Sequence, residues 1–346
     1  MTAGELRVRR AEPGDAAARD AFVRQHERGT FFHLAGWGRV VERVMGHAVR
    51  DLLAFQDGAL AGVLPLASCR GLARHNLISV PYAVYGGPLG IDASVERALF
   101  EAAEEEAVRE RVGRLELRCL HDPGFALPGS ELYATFIREL PGDPGEVLAR
   151  MPKKSRAEAR KARESGLDLS CGPWFVEDLI RLFHRNKRSL GSPGLPPALF
   201  RELLVEFGAD ASVHLVRKGS RPLAAVMSFR FGRTLLAYYS GTAQDADREL
   251  SASNFMYMAL QEWGVRQGLE VFDFGRSRRD AGAFRFKQHQ GFEPRDLHYR
   301  FRLVRDRDLP ALNPSNPRTK VLRDTWRRLP LWLTTRLSSV AARYLP

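Results

Sequence analysis

Apolar positions along the first third of the chain fall into short, well-separated elements. Leu6 to Arg10 reads as a strand, and a helix over Asp15 to Arg28 follows with Asp15 placed as its N-cap. After Phe31-Phe32-His33, the spacing of Trp37, Val40, Val41 and Val44 predicts an amphipathic helix over Ala35 to Met45 whose apolar stripe is core. Asp51 to Phe55 and Leu60 to Ala67 form a hairpin through Gln56-Asp57-Gly58, because Asp-Gly accepts the left-handed backbone that a tight turn requires. A strand over Leu77 to Val80 ends in the corner Pro81-Tyr82 and Tyr85-Gly86-Gly87-Pro88. A helix over Ala93 to Glu110 and a strand over Arg114 to Cys119 complete this round.

The same plan returns later without the same residues. Val213 to Arg217 and Pro222 to Phe231 pair through Lys218-Gly219-Ser220, Leu235 to Ser240 is the next strand, Ser253 to Gln267 the helix, and Glu270 to Phe274 the closing strand. Hairpin, strand, loop, helix, strand thus occurs twice, which an internal structural duplication explains most simply. Pro141-Gly142-Asp143-Pro144-Gly145 is the clearest break between the rounds, so the expected domains are 1–142 and 143–309. Residues 310–346 are a linker, Leu312-Asn313-Pro314-Ser315-Asn316-Pro317, followed by a basic amphipathic segment over Thr319 to Tyr344 that Pro330 should kink. Trp326, Leu329, Leu331, Trp332 and Leu337 mix there with arginines, a pattern suited to lying on an anionic membrane or to packing on the second domain.

The stretch Gly268 to Pro294 holds the densest candidate chemistry. An apolar strand, Leu269 to Phe274, runs into Gly275 and a basic turn, Arg276 to Gly282, and then Phe284, Phe286 and Lys287 precede Gly291-Phe292. A flexible loop at the carboxyl edge of a buried strand is a common place for ligand contacts. Lys287 stands out because it is the only lysine between Lys218 and Lys320. A second cluster begins at Met151-Pro152-Lys153, where Lys153, Arg156, Arg160 and Arg163 share one helical face. That face is either solvated or binds an anion, a diphosphate or an RNA backbone.

Composition narrows the classes. With 346 residues, 44% apolar and 27% charged, the chain is globular and long enough for two cores. No stretch offers about 18 uninterrupted apolar residues and Met1 to Pro13 has no signal-peptide centre, which points to the cytoplasm. Cys69, Cys119 and Cys171 are odd in number and far apart, so neither a disulfide framework nor a Cys-x-x-Cys site is expected, and the histidines show no zinc spacing. A net charge of +12 implies an anionic partner such as a nucleotide-linked substrate, tRNA or the inner face of a membrane.

Asp273-Phe274-Gly275, Phe284-Arg285-Phe286-Lys287 and Gly291-Phe292 resemble the closing motif of the FemAB family, and Ser79 to Gly87 and Lys153 to Gly166 extend the likeness from about Phe31 to Pro317. The corner at Tyr85 and the Asn-Pro-Ser-Asn-Pro-Arg tail are similar to the exosortase (PEP-CTERM) associated FemAB-like branch. The resemblance implies an α/β (α+β) fold of two tandem GNAT-like acyltransferase domains with a C-terminal helical tail. It implies an N-acyltransferase or aminoacyltransferase that modifies an amine on a cell-envelope precursor, peptidoglycan or exopolysaccharide, with no bound cofactor and no metal. It also implies a catalytic place for Lys287, which would hold a cation near the carbonyl oxygen of the acyl group as charge develops there.

In such a unit the acceptor amine attacks the acyl carbon directly between two splayed strands. Strand alternation should send one of Tyr238 and Tyr239 inward, and Tyr239 is favoured. Asp273 could accept the proton of the incoming ammonium or brace Arg276 and Arg278. Lys153, Arg156, Arg160, Tyr85, Arg276 and Phe286 are the expected substrate contacts. The pyrophosphate loop of acyl-CoA enzymes is replaced by Arg248-Glu249-Leu250-Ser251-Ala252-Ser253-Asn254, without glycine, which favours aminoacyl-tRNA over acyl-CoA as donor. The long heptad arm of some tRNA-using relatives has no counterpart, so both donors stay open. The expected partners are a nucleotide- or lipid-linked glycan precursor and tRNA, with peripheral contact at the inner membrane and no DNA. A catalytically silent GNAT-fold protein that binds an anionic glycan or membrane is the rival reading.

Overall fold

The computed structural model describes residues 5–71, 74–309 and 317–344. The chain divides into two compact units that are not contiguous in sequence: Met1–Tyr133 with Asp296–Leu312 and Arg343–Pro346, and Ala134–Arg295 with Asn313–Ala342. This differs from the division expected at 142/143 and 309/310, and strand pairing is the reason. Ile137–Glu139 pairs antiparallel with Val271–Asp273, so the chain enters the second unit before the break at 141–145. His298–Leu303 pairs antiparallel with Arg114–Cys119, so the chain returns to the first unit after the second is built. Proline and glycine mark where a chain turns, whereas buried backbone groups go wherever a partner strand satisfies them. The expected linker lies outside the described residues except for Pro317, where a helix already begins.

In the first unit the hairpin Leu52–Gln56 and Ala59–Leu64 turns through Asp57 and Gly58 at φ 51° and 81°, the left-handed pair that Asp-Gly supplies, and Leu6–Arg10 extends it. A second sheet contains His75–Ile78 and Arg114–Cys119 as parallel neighbours, connected by the helix Ala93–Arg109. That helix starts where Asp92 accepts from the backbone N–H groups of Ser94 at 2.8 Å and Val95 at 3.0 Å. Its apolar face, Val95, Leu99, Ala103 and Ala107, is buried with Leu115 and Leu117 of the strand that follows.

The second unit is built on a six-stranded sheet, ordered Ile137, Val271, Thr234, Arg221, Ala211 and Asp168 by the first residue of each strand. The sheet's one parallel pair, Thr234–Thr242 with Val271–Asp273, is bridged by the helix Ala252–Arg266. A parallel pair closed by a helix and flanked by an antiparallel strand therefore recurs in both units. The expected duplication is present. Along the Thr234 strand the faces alternate: Ser240 accepts from Tyr257 of the Ala252 helix, while Tyr239 packs against Phe183 and Phe200 of the helices Val176–Ser189 and Pro197–Phe207.

Beyond Pro317 the basic segment is two helices, Pro317–Arg328 and Leu331–Ala341, with Pro330 as N-cap of the second. The proline ends one helix and starts another instead of kinking a single one, because its ring excludes the residue before it from helical backbone. Among the described residues no helix is long and apolar enough to cross a membrane.

Candidate active site

The parallel strands of the second unit are paired only from Thr234↔Val271 to Leu236↔Asp273, yet the Thr234 strand runs on to Thr242. Pairing stops where the shorter strand ends at Asp273, at the carboxyl edge of the sheet, where open α/β sheets bind ligands. The chain leaves Asp273 through Gly275, whose φ of +67° favours glycine, and a Cβ there would stand 3.6 Å from the Ala237 carbonyl oxygen and 3.9 Å from the Tyr238 ring. Asp273, 1% exposed, accepts from the Gly275 N–H at 2.8 Å and from Thr135 Oγ1 at 3.4 Å. It therefore ties down the turn itself. Arg278, expected against Asp273, is held by Asp280 through two bonds of 2.7 Å.

Lys287 lies in the helix Gly282–His289 and is 8% exposed. Its Nζ donates to the carbonyl oxygens of Phe274 at 2.6 Å, Gly275 at 2.8 Å and Arg276 at 3.2 Å, so all three ammonium hydrogens have partners in the corner that closes the site. The rings of Phe274 and Phe136 stand 5.1 and 5.4 Å away and add cation–π attraction. Burial pushes Lys287 down to about 7, with Asp273 acting the other way and the Arg276 cation reinforcing the fall.

This titration couples to stability. The folded chain releases the Lys287 proton near pH 7, while the unfolded chain keeps it to about 10.4. Between those values the unfolded state binds more protons, so unfolding free energy rises with pH, by at most about 1.4 kcal/mol per unit. The cost of burying the ammonium is thus full below pH 7 and is relieved above it. Thermal unfolding of the wild type and of Lys287→Met between pH 7 and 9 should show the wild type gaining relative to the variant as pH rises.

The tyrosine pair differs from expectation. Met227 faces Tyr239 and Ser228 faces Ala237, so Tyr238 is the extra residue of a β-bulge. A bulge breaks strict alternation, and both rings turn to one face, 4.5 Å apart: Tyr239 is 8% exposed against Phe183 and Phe200, while Tyr238 lies near Phe229 and Gly275. Tyr238, not Tyr239, is the half-exposed ring just beyond the last residue paired with the Val271 strand. Phe286 is half-buried against Phe274 and Tyr257, an aromatic wall rather than a projecting contact.

Lys187 was not among the expected site residues. It ends the Val176 helix half-buried over the Phe183 ring at 5.4 Å, and burial together with Arg276 pushes its ammonium down. Its signal in the sequence was the one already used for Lys287, a lysine in a chain that otherwise uses arginine.

The basic helix Lys153–Glu164 buries Ser155, Ala159 and Ala162 and leaves Lys153 and Arg160 exposed. Arg156 folds back to the Ala149 carbonyl at 3.1 Å and Arg163 pairs with Glu262 at 2.5 Å, so the expected row of four cations is reduced at both of those positions. Tyr85 belongs to the first unit, 5% exposed and edge-on to Phe32, and lines a small cavity there with His33 and Gly86.

At the start of the Ala252 helix, Asp247 accepts from the Ser253 N–H at 2.6 Å and from Ser253 Oγ at 2.8 Å, and Glu158 accepts from Asn254 at 2.7 Å. Helix N-termini attract anions through free N–H groups and the helix dipole. Here a carboxylate of the chain already takes that place.

Residues 149–288 match the family model of the acetyltransferase (GNAT) domain. That stretch is a GNAT domain, and the protein is an acyltransferase. Its fold is similar to the crystal structure of FemX, with a TM-score of 0.67 at 14% identity over 92% of this chain and 100% of that one. A tandem GNAT protein from the clavulanic acid biosynthesis pathway gives 0.56 at 12% identity over 88% of this chain and 100% of its own. L-PGS from Bacillus licheniformis gives 0.53 at 15% identity over 92% and 98%. At these identities the likeness is one of fold, and it spans both units of the acyltransferase. No curated protein matches the sequence.

Proposed function

We propose that this acyltransferase moves an aminoacyl group from aminoacyl-tRNA to an amine on a cell-envelope precursor, in the manner of the FemAB family. The observation that carries the donor is the carboxylate of Asp247 at the N-terminus of the Ala252 helix, joined by Glu158 on Asn254. A pyrophosphate entering there would displace one capping carboxylate and face another, which weakens acyl-CoA as donor. The sequence resemblance to the exosortase-associated branch supports an exopolysaccharide or peptidoglycan acceptor.

In this reading the acyl carbon sits where the pairing of the Thr234 and Val271 strands stops, beside Tyr238. Lys287 supplies the cation: its longest bond, 3.2 Å to the Arg276 carbonyl, is the one that can be exchanged for the developing oxyanion. Asp273 fixes the Gly275 turn. Lys187 and Arg276, mutually repelling while unliganded, hold an anionic group of donor or acceptor. Lys153 and Arg160 offer further charge to a nucleic-acid or diphosphate backbone.

The test is protection against thermal unfolding by charged tRNA and by a panel of acyl-CoA thioesters, each at two salt concentrations. Saturable, salt-sensitive protection by charged tRNA alone is the expected result. Protection by a CoA thioester and not by tRNA would replace the donor and overturn the argument from Asp247.

A further inference from the structure

Of the two C-terminal helices, Pro317–Arg328 and Leu331–Ala341, the second carries its polarity the wrong way round for a water-facing surface. The second helix turns small hydroxyl residues inward: Thr334 and Ser338 are 2% and 1% exposed. Ser338 Oγ donates to the Thr334 carbonyl at 2.6 Å and accepts from the Gly194 N–H at 2.9 Å, and Thr334 Oγ1 donates to the Leu331 carbonyl at 2.9 Å, so each hydroxyl is satisfied. Outward it presents Trp332, Leu337 and Val340, which are 63%, 41% and 59% exposed. Trp332, Arg336 and Val340 succeed one another four residues apart, and Leu337 adjoins them, so they share one face. The first helix adds Val321 and Leu322 at 70% and 71% exposure.

Scattered exposed apolar residues need no explanation, but a grouped face with a tryptophan does. The charges around it say what would cover it. Lys320, Arg323, Arg327, Arg328 and Arg336 stand against a single carboxylate, Asp324, which Arg327 binds at 3.0 Å. The helices have 12 and 11 residues, too short to span a bilayer, which takes about 20. A basic helix whose apolar side chains interleave with arginine suits the boundary of an anionic bilayer, where the aliphatic and indole groups enter the acyl region and the guanidinium groups reach the headgroups. Val321, Leu322, Leu337 and Val340 offer nothing to a nucleic acid, which is held by charge and by aromatic stacking.

We infer that the Pro317–Ala342 helix pair docks on the surface of an anionic lipid bilayer. This stands apart from the choice of donor, since it uses none of the residues at the candidate active site.

The experiment is co-sedimentation of the full chain with vesicles of phosphatidylcholine, alone or mixed in equal parts with phosphatidylglycerol. Binding should favour the anionic vesicles by about tenfold or more at low salt and weaken as salt rises. A variant carrying Trp332→Ser, Leu337→Ser and Val340→Ser should keep its unfolding temperature, because these side chains face water, and should bind anionic vesicles about tenfold less well. Equal binding to both vesicle types, or unchanged binding by the variant, overturns the inference. So does a concentration-dependent dimer that the variant abolishes, which would make a second copy the occupant, or loss of tRNA retention in the variant with vesicle binding intact.

Discussion

Lys287→Ala lowers kcat by about 10²- to 10³-fold and leaves KM within a few-fold of the wild type. The ammonium is buried beneath the corner Phe274–Arg276, with three carbonyl oxygens within 3.2 Å, so its charge acts with little solvent screening. An interaction that strengthens only as the carbonyl oxygen becomes negative is lost from kcat rather than from substrate affinity. The pH profile separates this from simple loosening of the loop. Because Lys287 titrates near 7, the wild type should show an alkaline fall with an apparent pKa near 7, and the residual activity of the alanine variant should lack it. An alanine variant with full kcat and an unchanged alkaline limb would remove Lys287 from the chemistry. Lys287→Arg should not rescue, since a planar guanidinium cannot address three carbonyls converging on one point.

Gly241→Ala destabilises the protein by about 3 kcal/mol, at the upper end for a single inserted methyl in a packed region. A Cβ at Gly241 would stand 2.5 Å from the Leu182 carbonyl carbon and 2.7 Å from its oxygen, both backbone atoms of the Val176 helix, which cannot swing aside as a side chain would. The helix must lift from the Thr234 strand. Calorimetry should record a fall in melting temperature of roughly 10 °C. The shift should also carry Lys187, one turn beyond Phe183, away from Arg276, so protection by an anionic donor should weaken along with stability. A melting temperature within about 1 °C of the wild type would mean that the helix has slack which the packing does not show.

Much of the architecture was legible because local pattern and tertiary demand agree. The Ala35–Met45 helix and the Leu6–Arg10 and Arg114–Cys119 strands occur with the bounds that periodicity gives. The Asp57-Gly58 turn is where its chemistry requires it, at φ 51° and 81°. What periodicity could not show is pairing between distant segments, and both displaced boundaries, at Ile137 and His298, come from that source. Within the candidate site, Lys287 was conspicuous as a lone lysine in an arginine-rich chain, and its catalytic place was what the resemblance implied. Its three carbonyl partners were not legible, since they depend on how the Gly275 turn folds over the helix. The preference for Tyr239 assumed two-residue alternation, and the bulge at Tyr238 suspends that rule for one residue. Arg156 and Arg163 share a helical face with Lys153 and Arg160, but helical phase alone does not reveal that Ala149 and Glu262 have taken them.

The route of the chain also sets a timetable. The Arg114–Cys119 strand has one neighbour in His75–Ile78 as soon as it is made, but its other neighbour, His298–Leu303, leaves the ribosome only after Ala134–Arg295 of the second unit has been synthesised. Until then the amino-terminal sheet has an open edge, the kind of surface that recruits foreign strands. The six-stranded sheet of the second unit uses only strands from Ile137–Glu139 to Val271–Asp273, so that sheet can pair before His298–Leu303 is made, although the unit's last helices come later. The sheet in the middle of the chain can therefore form before the sheet whose strands are translated first has its full set of partners.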